Sequence, residues 1–222
     1  MERDVMEYDV LIVGAGPAGL STAIKFAQLN KKNNTNHTIC VIEKGSEVGA
    51  HILSGNVFEP TALNELIPDW KDKDAPLETP VKKDVVKYLI NKDISIPVPF
   101  PGIFMPNFNN HGNYIMSLAN FCRWLAKEAE MLGVEIFAGF TASEVIIEDE
   151  KLKGIVTGEM GVGKDGEKKP SYQPSMELRA KYTILSEGCR GHLGKQIIKR
   201  FNLDDGKDPQ HYGIGFKEIW DI

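Results

Sequence analysis

With 222 residues, 42% of them hydrophobic and 26% charged, the chain is long enough for one large domain and has the composition of a folded globular protein. A net charge of −5, with Lys and Arg not gathered into a stripe, argues against a nucleic-acid surface. Cys40, Cys122 and Cys189 lie far apart and form no C-x-x-C pair, so they read as reduced thiols that hold no metal.

The short acidic start, Met1 to Val5, is neither a signal peptide nor an Arg-rich transit peptide. No apolar run approaches the ~20 residues that a spanning helix needs. Tyr8 to Val13 is a β-rich apolar run, and Gly14-Ala15-Gly16-Pro17-Ala18-Gly19 follows at once. A helical pattern then carries Leu20, Ile24, Ala27 and Leu29. After a polar loop from Asn30 to Thr38, the run Ile39 to Ile42 ends in Glu43. Strand, glycine turn, helix, strand and acid make up a dinucleotide-binding βαβ unit. Gly14 permits the tight turn, Gly16 lets backbone approach a pyrophosphate, and Gly19 lets the helix pack close to the sheet. The helix N-terminus offers free N–H groups to phosphates. Glu43 suits a ribose diol and disfavours a 2′-phosphate. The position of the motif at the start of the chain, with Lys44 and then Gly49-Ala50 behind it, is the layout of FAD-first flavoproteins.

In Val48 to Pro60, small residues surround His51, which reads as a structural hydrogen-bonder. Thr61 to Trp70 reads as a short helix and Trp70 to Asp84 as an exposed linker. Val85 to Ile90 and Ile94 to Val98 form a β-hairpin. Pro99 to Phe108 is an apolar loop on a Pro/Gly scaffold, suited to the core, an apolar ligand site or a membrane surface. Ser117 caps a helix to Leu132 with Leu118, Phe121, Cys122, Leu125, Ala129 and Leu132 on one face; Gly133 ends it, and Arg123 and Lys127 point to solvent. A strand over Val134 to Ala138 follows, then a hairpin of Ser143 to Ile147 with Lys151 to Thr157. Gly161 to Gly166 lacks the features of a phosphate-binding P-loop, and this polar loop runs to about Ser175. Met176 to Leu185 is a strand that opens through Ser186-Glu187-Gly188 into a helix from His192 to Phe201, a second corner of the kind that places a ligand at the sheet's C-terminal edge. Tyr212 to Ile222 reads as a strand with no closing element after it, so the chain reads as part of a longer protein.

Four segments carry a resemblance: Asp9 to Ser21, the G-A-H-I-L-S-G of Gly49 to Gly55, Asn110 to Ile115, and the E-G-C-R-G-H-L of Glu187 to Leu193; Tyr212 to Glu218 adds a fifth. The chain resembles the N-terminal part of the electron transfer flavoprotein–ubiquinone oxidoreductase family, from about Tyr8 to Ile222. The resemblance implies an α/β fold: an incomplete, glutathione-reductase-like FAD-binding Rossmann domain with an inserted β-hairpin and apolar-loop region. The first part of the FAD-binding domain is 1–80, the inserted quinone- and membrane-facing region 81–111, and the continuation 112–222. It implies FAD held by Gly14, Ala15, Gly16, Pro17, Ala18, Gly19, Glu43, Lys44, Gly49, Ala50, Val145, Glu187 and Gly188, with no acid, base or nucleophile among them, since the flavin does the chemistry. The implied partners are electron transfer flavoprotein, ubiquinone and a membrane surface met peripherally through 97–108, with no nucleic acid. The location implied is the cytoplasmic face of a bacterial inner membrane, or the mitochondrial inner membrane. A 4Fe-4S cluster is implied for the full-length protein but is not ligated by this chain. Two alternatives stay open: an FAD-dependent reductase or hydroxylase of an isoprenoid or aromatic substrate, and a non-catalytic fragment.

Overall fold

The computed structural model describes residues 3–53, 55–99, 109–163 and 165–216. Strand β1 (Val5–Val13) runs through a glycine turn into helix α1 (Pro17–Asn33) and returns as β2 (Ile39–Glu43). The chain continues through β3 (Asn56–Phe58), α2 (Thr61–Leu66), β4 (Thr79–Pro80), a hairpin of β5 (Lys87–Leu89) with β6 (Ser95–Pro97), and β7 (Tyr114–Met116). Helix α3 (Leu118–Met131) leads to β8 (Glu135–Ala138), and then come β9 (Ala142–Glu148), β10 (Lys151–Thr157), β11 (Met160–Val162), β12 (Lys168–Gln173), β13 (Glu177–Leu185) and α4 (His192–Phe201).

The main sheet has the order β8-β2-β1-β13-β10-β9. β8, β2, β1 and β13 are parallel, while β10 pairs antiparallel with both β13 and β9. The second half of β1 and the whole of β2 read as solid apolar runs because both faces are covered. On one face Val10, Ile12, Ile39 and Val41 meet Leu20 and Ile24 of α1 and Phe121, Cys122 and Leu125 of α3. On the other, Leu11, Val13, Cys40 and Ile42 meet Ile155, Leu178 and Leu193. Ile12, Leu20 and Ile24 are wholly buried, and each stabilises the fold by roughly 1.5–3 kcal/mol. Gly19 sits at the crossing of α1 over β1: a Cβ there would strike the Gly14 carbonyl and press on Ile12.

The expected hairpin of β9 with β10 forms, and its two connecting residues, Asp149 and Glu150, both have positive φ (48° and 57°), as a type I′ turn requires. Ser117 caps α3 by accepting from the Asn120 N–H at 3.3 Å.

Several expectations need correction. The segment from Trp70 to Asp84 is not an exposed linker: Trp70 and Leu77 are buried, and the Trp70 Nε1–H donates to Asn64 Oδ1 at 2.7 Å. The Trp70 ring stands edge-on to Tyr114, and Thr79–Pro80 pairs with β7. Helix α2 stops at Leu66 because Ile67 precedes Pro68 and is held away from helical backbone. Met160–Val162 and Lys168–Gln173 pair as the β11–β12 hairpin where a loop was expected; Gly161 (φ +69°) lets the strands cross against the Ser171 carbonyl. α1 runs on to Asn33, so the loop after it is shorter than expected, and Leu29 lies on its exposed side. Arg123 is not simply solvated but pairs with Glu47 at 2.7 Å. Tyr212 to Phe216 form no strand: a strand requires a neighbour, and Ile214 and Phe216 are almost fully exposed. The end of that expected strand, 217–222, and most of the apolar loop, 100–108, lie outside the described residues.

At the N-terminal edge of the sheet, Asp9 ties three strands together. Its carboxylate accepts from the Thr38 N–H at 2.8 Å and pairs with Lys181. The Lys181 ammonium first, then the Thr38 N–H, hold the Asp9 carboxyl down from its ordinary 3.8 to about 2. A carboxyl depressed in the folded state adds stability above its unfolded value and loses it as pH falls through the folded one. The wild type is therefore expected to lose stability between pH 3.8 and about 2, and Asp9→Asn to lose less over that window. Urea-denaturation midpoints against pH check this; parallel curves for the two proteins contradict it.

Candidate functional site

β1, β2 and β13 end side by side at the C-terminal edge of the sheet, and a cavity of about 770 Å³ opens there. Its size falls in the range of small-molecule sites, roughly 300–1,000 Å³. Val13, Gly14, Gly16, Pro17 and Ala18 line it from the first corner, and Ile42, Glu43 and Lys44 from the end of β2. Gly49, His51 and Ile52 contribute from the following loop, Phe140 to Ala142 from the start of β9, and Leu185 to Gly188 with Arg190 to His192 from the second corner.

Backbone bonds run across this edge like rungs. Ser186 N–H donates to Val13 O at 2.8 Å, Gly14 N–H to Ile42 O at 2.8 Å, and Gly139 N–H to Gly45 O at 2.7 Å. The Glu43 carboxylate supplies the missing link: Oε2 accepts from the Ala15 N–H at 3.0 Å and Oε1 from the Gly45 N–H at 2.8 Å. Each such bond to a charged acceptor contributes roughly 1.5–3 kcal/mol. Beneath it, burial first and the Glu43 charge second push the Cys122 thiol up to about 12, so this cysteine is an inert core residue.

The two corners differ in what occupies the helix end. The N-cap of α1 is Gly16, which has no side-chain acceptor, and no acidic residue lies in the first turn. A Cβ on Gly16 would meet nothing within 4 Å, so this part of the turn faces open cavity. At the second corner the Glu187 carboxylate accepts from the N–H groups of His192 (2.9 Å), Leu193 (3.0 Å) and Gly194 (2.8 Å), filling the N-terminus of α4.

Of the residues named from sequence, Gly14, Gly16, Pro17, Ala18, Glu43, Lys44, Gly49, Glu187 and Gly188 meet around the cavity. Ala15 and Gly19 shape the turn from behind, and Ala50 lies in the loop next to Gly49. Val145 is not among the lining residues; it pairs with Ile155 and packs in the core. Arg190, His192 and Phe140 to Ala142 line the cavity without having been singled out. Arg190 and His192 lay inside the E-G-C-R-G-H-L segment, whereas nothing local marked Phe140 to Ala142. Arg190 also stacks on the Tyr212 ring, 4.8 Å from its centroid. Among the described residues no group of three His, Cys, Asp or Glu is placed to hold a metal.

This geometry defines a dinucleotide-binding Rossmann-like protein. The family model "NAD(P)-binding Rossmann-like domain" matches residues 12–67. The fold is shared with a geranylgeranyl bacteriochlorophyll reductase-like protein from Thermoplasma acidophilum (TM-score 0.60, 23% identity, 86% of this chain and 42% of that one). A flavoprotein/dehydrogenase from Cytophaga hutchinsonii is also similar (TM-score 0.52, 20% identity, 89% and 41%). In sequence the chain is related over its whole length to the N-terminal part of electron transfer flavoprotein–ubiquinone oxidoreductases. It is 58% identical to that of Pseudomonas aeruginosa, 49% to the mitochondrial protein of Bos taurus and 48% to that of Arabidopsis thaliana. These matches cover 100%, 100% and 99% of this chain but only 40%, 36% and 34% of the relatives' lengths.

The two glycines of the first turn separate folding from binding. Gly14 has φ +105° and a Cβ there would lie 2.5 Å from Ser186 O, so Gly14→Ala should cost about 1–3 kcal/mol of stability. Gly16→Ala should unfold like the wild type yet lose FAD affinity at least ten-fold, because its methyl enters the cavity. Thermal melts and flavin-fluorescence titrations check both; a Gly16→Ala protein that binds FAD normally contradicts the site.

Proposed function

We propose that the cavity is an FAD site and that the chain serves FAD-dependent electron transfer from reduced electron transfer flavoprotein to ubiquinone. The observation that carries this reading is the open, uncapped N-terminus of α1 facing a cavity of about 770 Å³ beside Glu43, together with the relatedness to electron transfer flavoprotein–ubiquinone oxidoreductases. FAD supplies reversible one- and two-electron chemistry when bound. The chain's residues bind and orient: Gly16, Pro17 and Ala18 present the helix end to the pyrophosphate, and Glu43 accepts from the adenosine ribose. Lys44, Gly49 and Ala50 flank that ribose, and Glu187 and Gly188 complete the surroundings. A 4Fe-4S cluster of the native-length protein would take its cysteines from elsewhere, since Cys40 and Cys122 are buried in the core.

The division proposed is 1–80 and 112–222 for FAD, with 81–111 as an insertion. At the base of the insertion the Asp84 carboxylate grips both the backbone N–H and the side-chain amide of Asn110, at 3.0 and 2.7 Å. Its hairpin exposes Val85, Tyr88, Leu89, Ile90, Ile94 and Ile96 together, an apolar patch of the kind that meets a partner or membrane. Lys82, Lys83, Lys87 and Lys92 in the same segment suit anionic lipid headgroups. Among the described residues no helix is long and apolar enough to cross a membrane. The reading is therefore peripheral attachment through this hairpin and 97–108, at the cytoplasmic face of a bacterial inner membrane or at the mitochondrial inner membrane.

The test uses the protein at its native length with Tyr88 and Leu89 both changed to serine. Each side chain is worth roughly 1.5–3 kcal/mol of apolar burial, so binding to anionic vesicles should fall at least ten-fold. Reduction of vesicle-embedded ubiquinone should fall with it, while FAD content stays at the wild-type level. Unchanged vesicle binding and unchanged quinone reduction would remove the hairpin from the function.

A further inference from the structure

We infer that Glu187 is a specificity-determining residue: its carboxylate is a built-in anion that seals the second strand–turn–helix corner, so that only the first corner accepts a phosphate. The inference rests on the FAD-site reading and gives the dinucleotide its direction in the cavity. Both corners have the backbone form that binds phosphates, a strand ending in small residues at a helix N-terminus. α1 and α4 span 17 and 10 residues, long enough for each to present a developed positive end. What differs is occupancy. Three N–H groups at the start of α4 converge on one carboxylate, two on Oε1 and one on Oε2, all within 3.0 Å. Three short donors on one anion reproduce the contacts of a bound phosphate oxygen pair, and they leave those donors nothing to offer a ligand.

The backbone around the carboxylate is cut to admit it. A Cβ on Gly191 would lie 2.7 Å from Glu187 Oε2 and 2.9 Å from Glu187 Cβ. Glycine at 191 therefore leaves the space that the internal anion occupies. The fixed negative charge also repels a second anion from the Glu187 side of the cavity. The pyrophosphate is thus confined to α1, and the Glu187–Gly188 side is left for uncharged, hydroxyl-bearing parts of the ligand.

The experiment uses inorganic phosphate as the probe, titrated into ¹⁵N-labelled protein freed of nucleotide, with backbone amide shifts as the readout. In the wild type, amides of the first corner, Gly16 to Gly19, should shift while those of His192, Leu193 and Gly194 stay still. In Glu187→Ala the second set should also shift, with phosphate binding there at least ten-fold tighter than in the wild type. Glu187→Gln removes the charge but keeps an oxygen acceptor, and serves if the alanine variant does not fold; it should show the same gain in weaker form. Phosphate shifts at His192 to Gly194 in the wild type, or their absence in every folded variant, would overturn the inference. A wild type that fails to respond at Gly16 to Gly19 would instead overturn the FAD-site reading, so the two failures are distinguishable.

Discussion

The carboxylate of Glu43 closes the C-terminal edge of the sheet, and the site depends on that closure. At that edge backbone bonds join β13 to β1 and β1 to β2. Ala15, at the crest of the glycine turn, has no strand neighbour to satisfy its N–H, and the loop leaving β2 has the same problem at Gly45. One side chain answers both donors. It holds the turn in place before any ligand arrives, which is what preorganisation means energetically: ordering of the loop is already complete when binding begins. Gly45 carries the connection onward to Gly139 beyond β8. Four strands and two loops thereby share one continuous rim.

Around that rim the chain uses the same chemistry in two senses. At α1 the positive helix end is left open toward the cavity. At α4 it is neutralised internally by Glu187. The two carboxylates, Glu43 and Glu187, are each spent largely on backbone donors, yet both stand at the cavity wall. A ligand with a doubly charged middle and neutral ends fits such a surface, whereas one charged at both ends does not. This electrostatic shape, more than any single contact, supports the FAD reading.

Much of this was legible in the sequence because the signals are local. The β1–glycine turn–α1–β2 unit depends on residues within forty positions of one another, and the solid apolar runs announced strands buried on both faces. The span of α4, His192–Phe201, agrees with the expected helix. What was not legible depends on distant partners. Trp70 is buried because Tyr114, far along the chain, provides an edge for it, and its charged neighbours disguise that. Phe140 to Ala142 reach the cavity only because β9 folds back beside β10 in the sheet order. Glu187 was named for the cofactor site and does line the cavity, but its acceptance of three N–H groups was hidden because backbone donors leave no mark on residue type. Tyr212 to Phe216 had strand composition without a strand's neighbour, and composition alone does not satisfy backbone groups.

The most direct test is a crystal structure of the protein with FAD bound. The account predicts the pyrophosphate against Gly16 and the first turn of α1, the adenosine ribose within hydrogen-bond distance of Glu43, and no phosphate oxygen on the N–H groups of His192 to Gly194. A pyrophosphate seated on α4, or FAD bound away from this edge of the sheet, would contradict it.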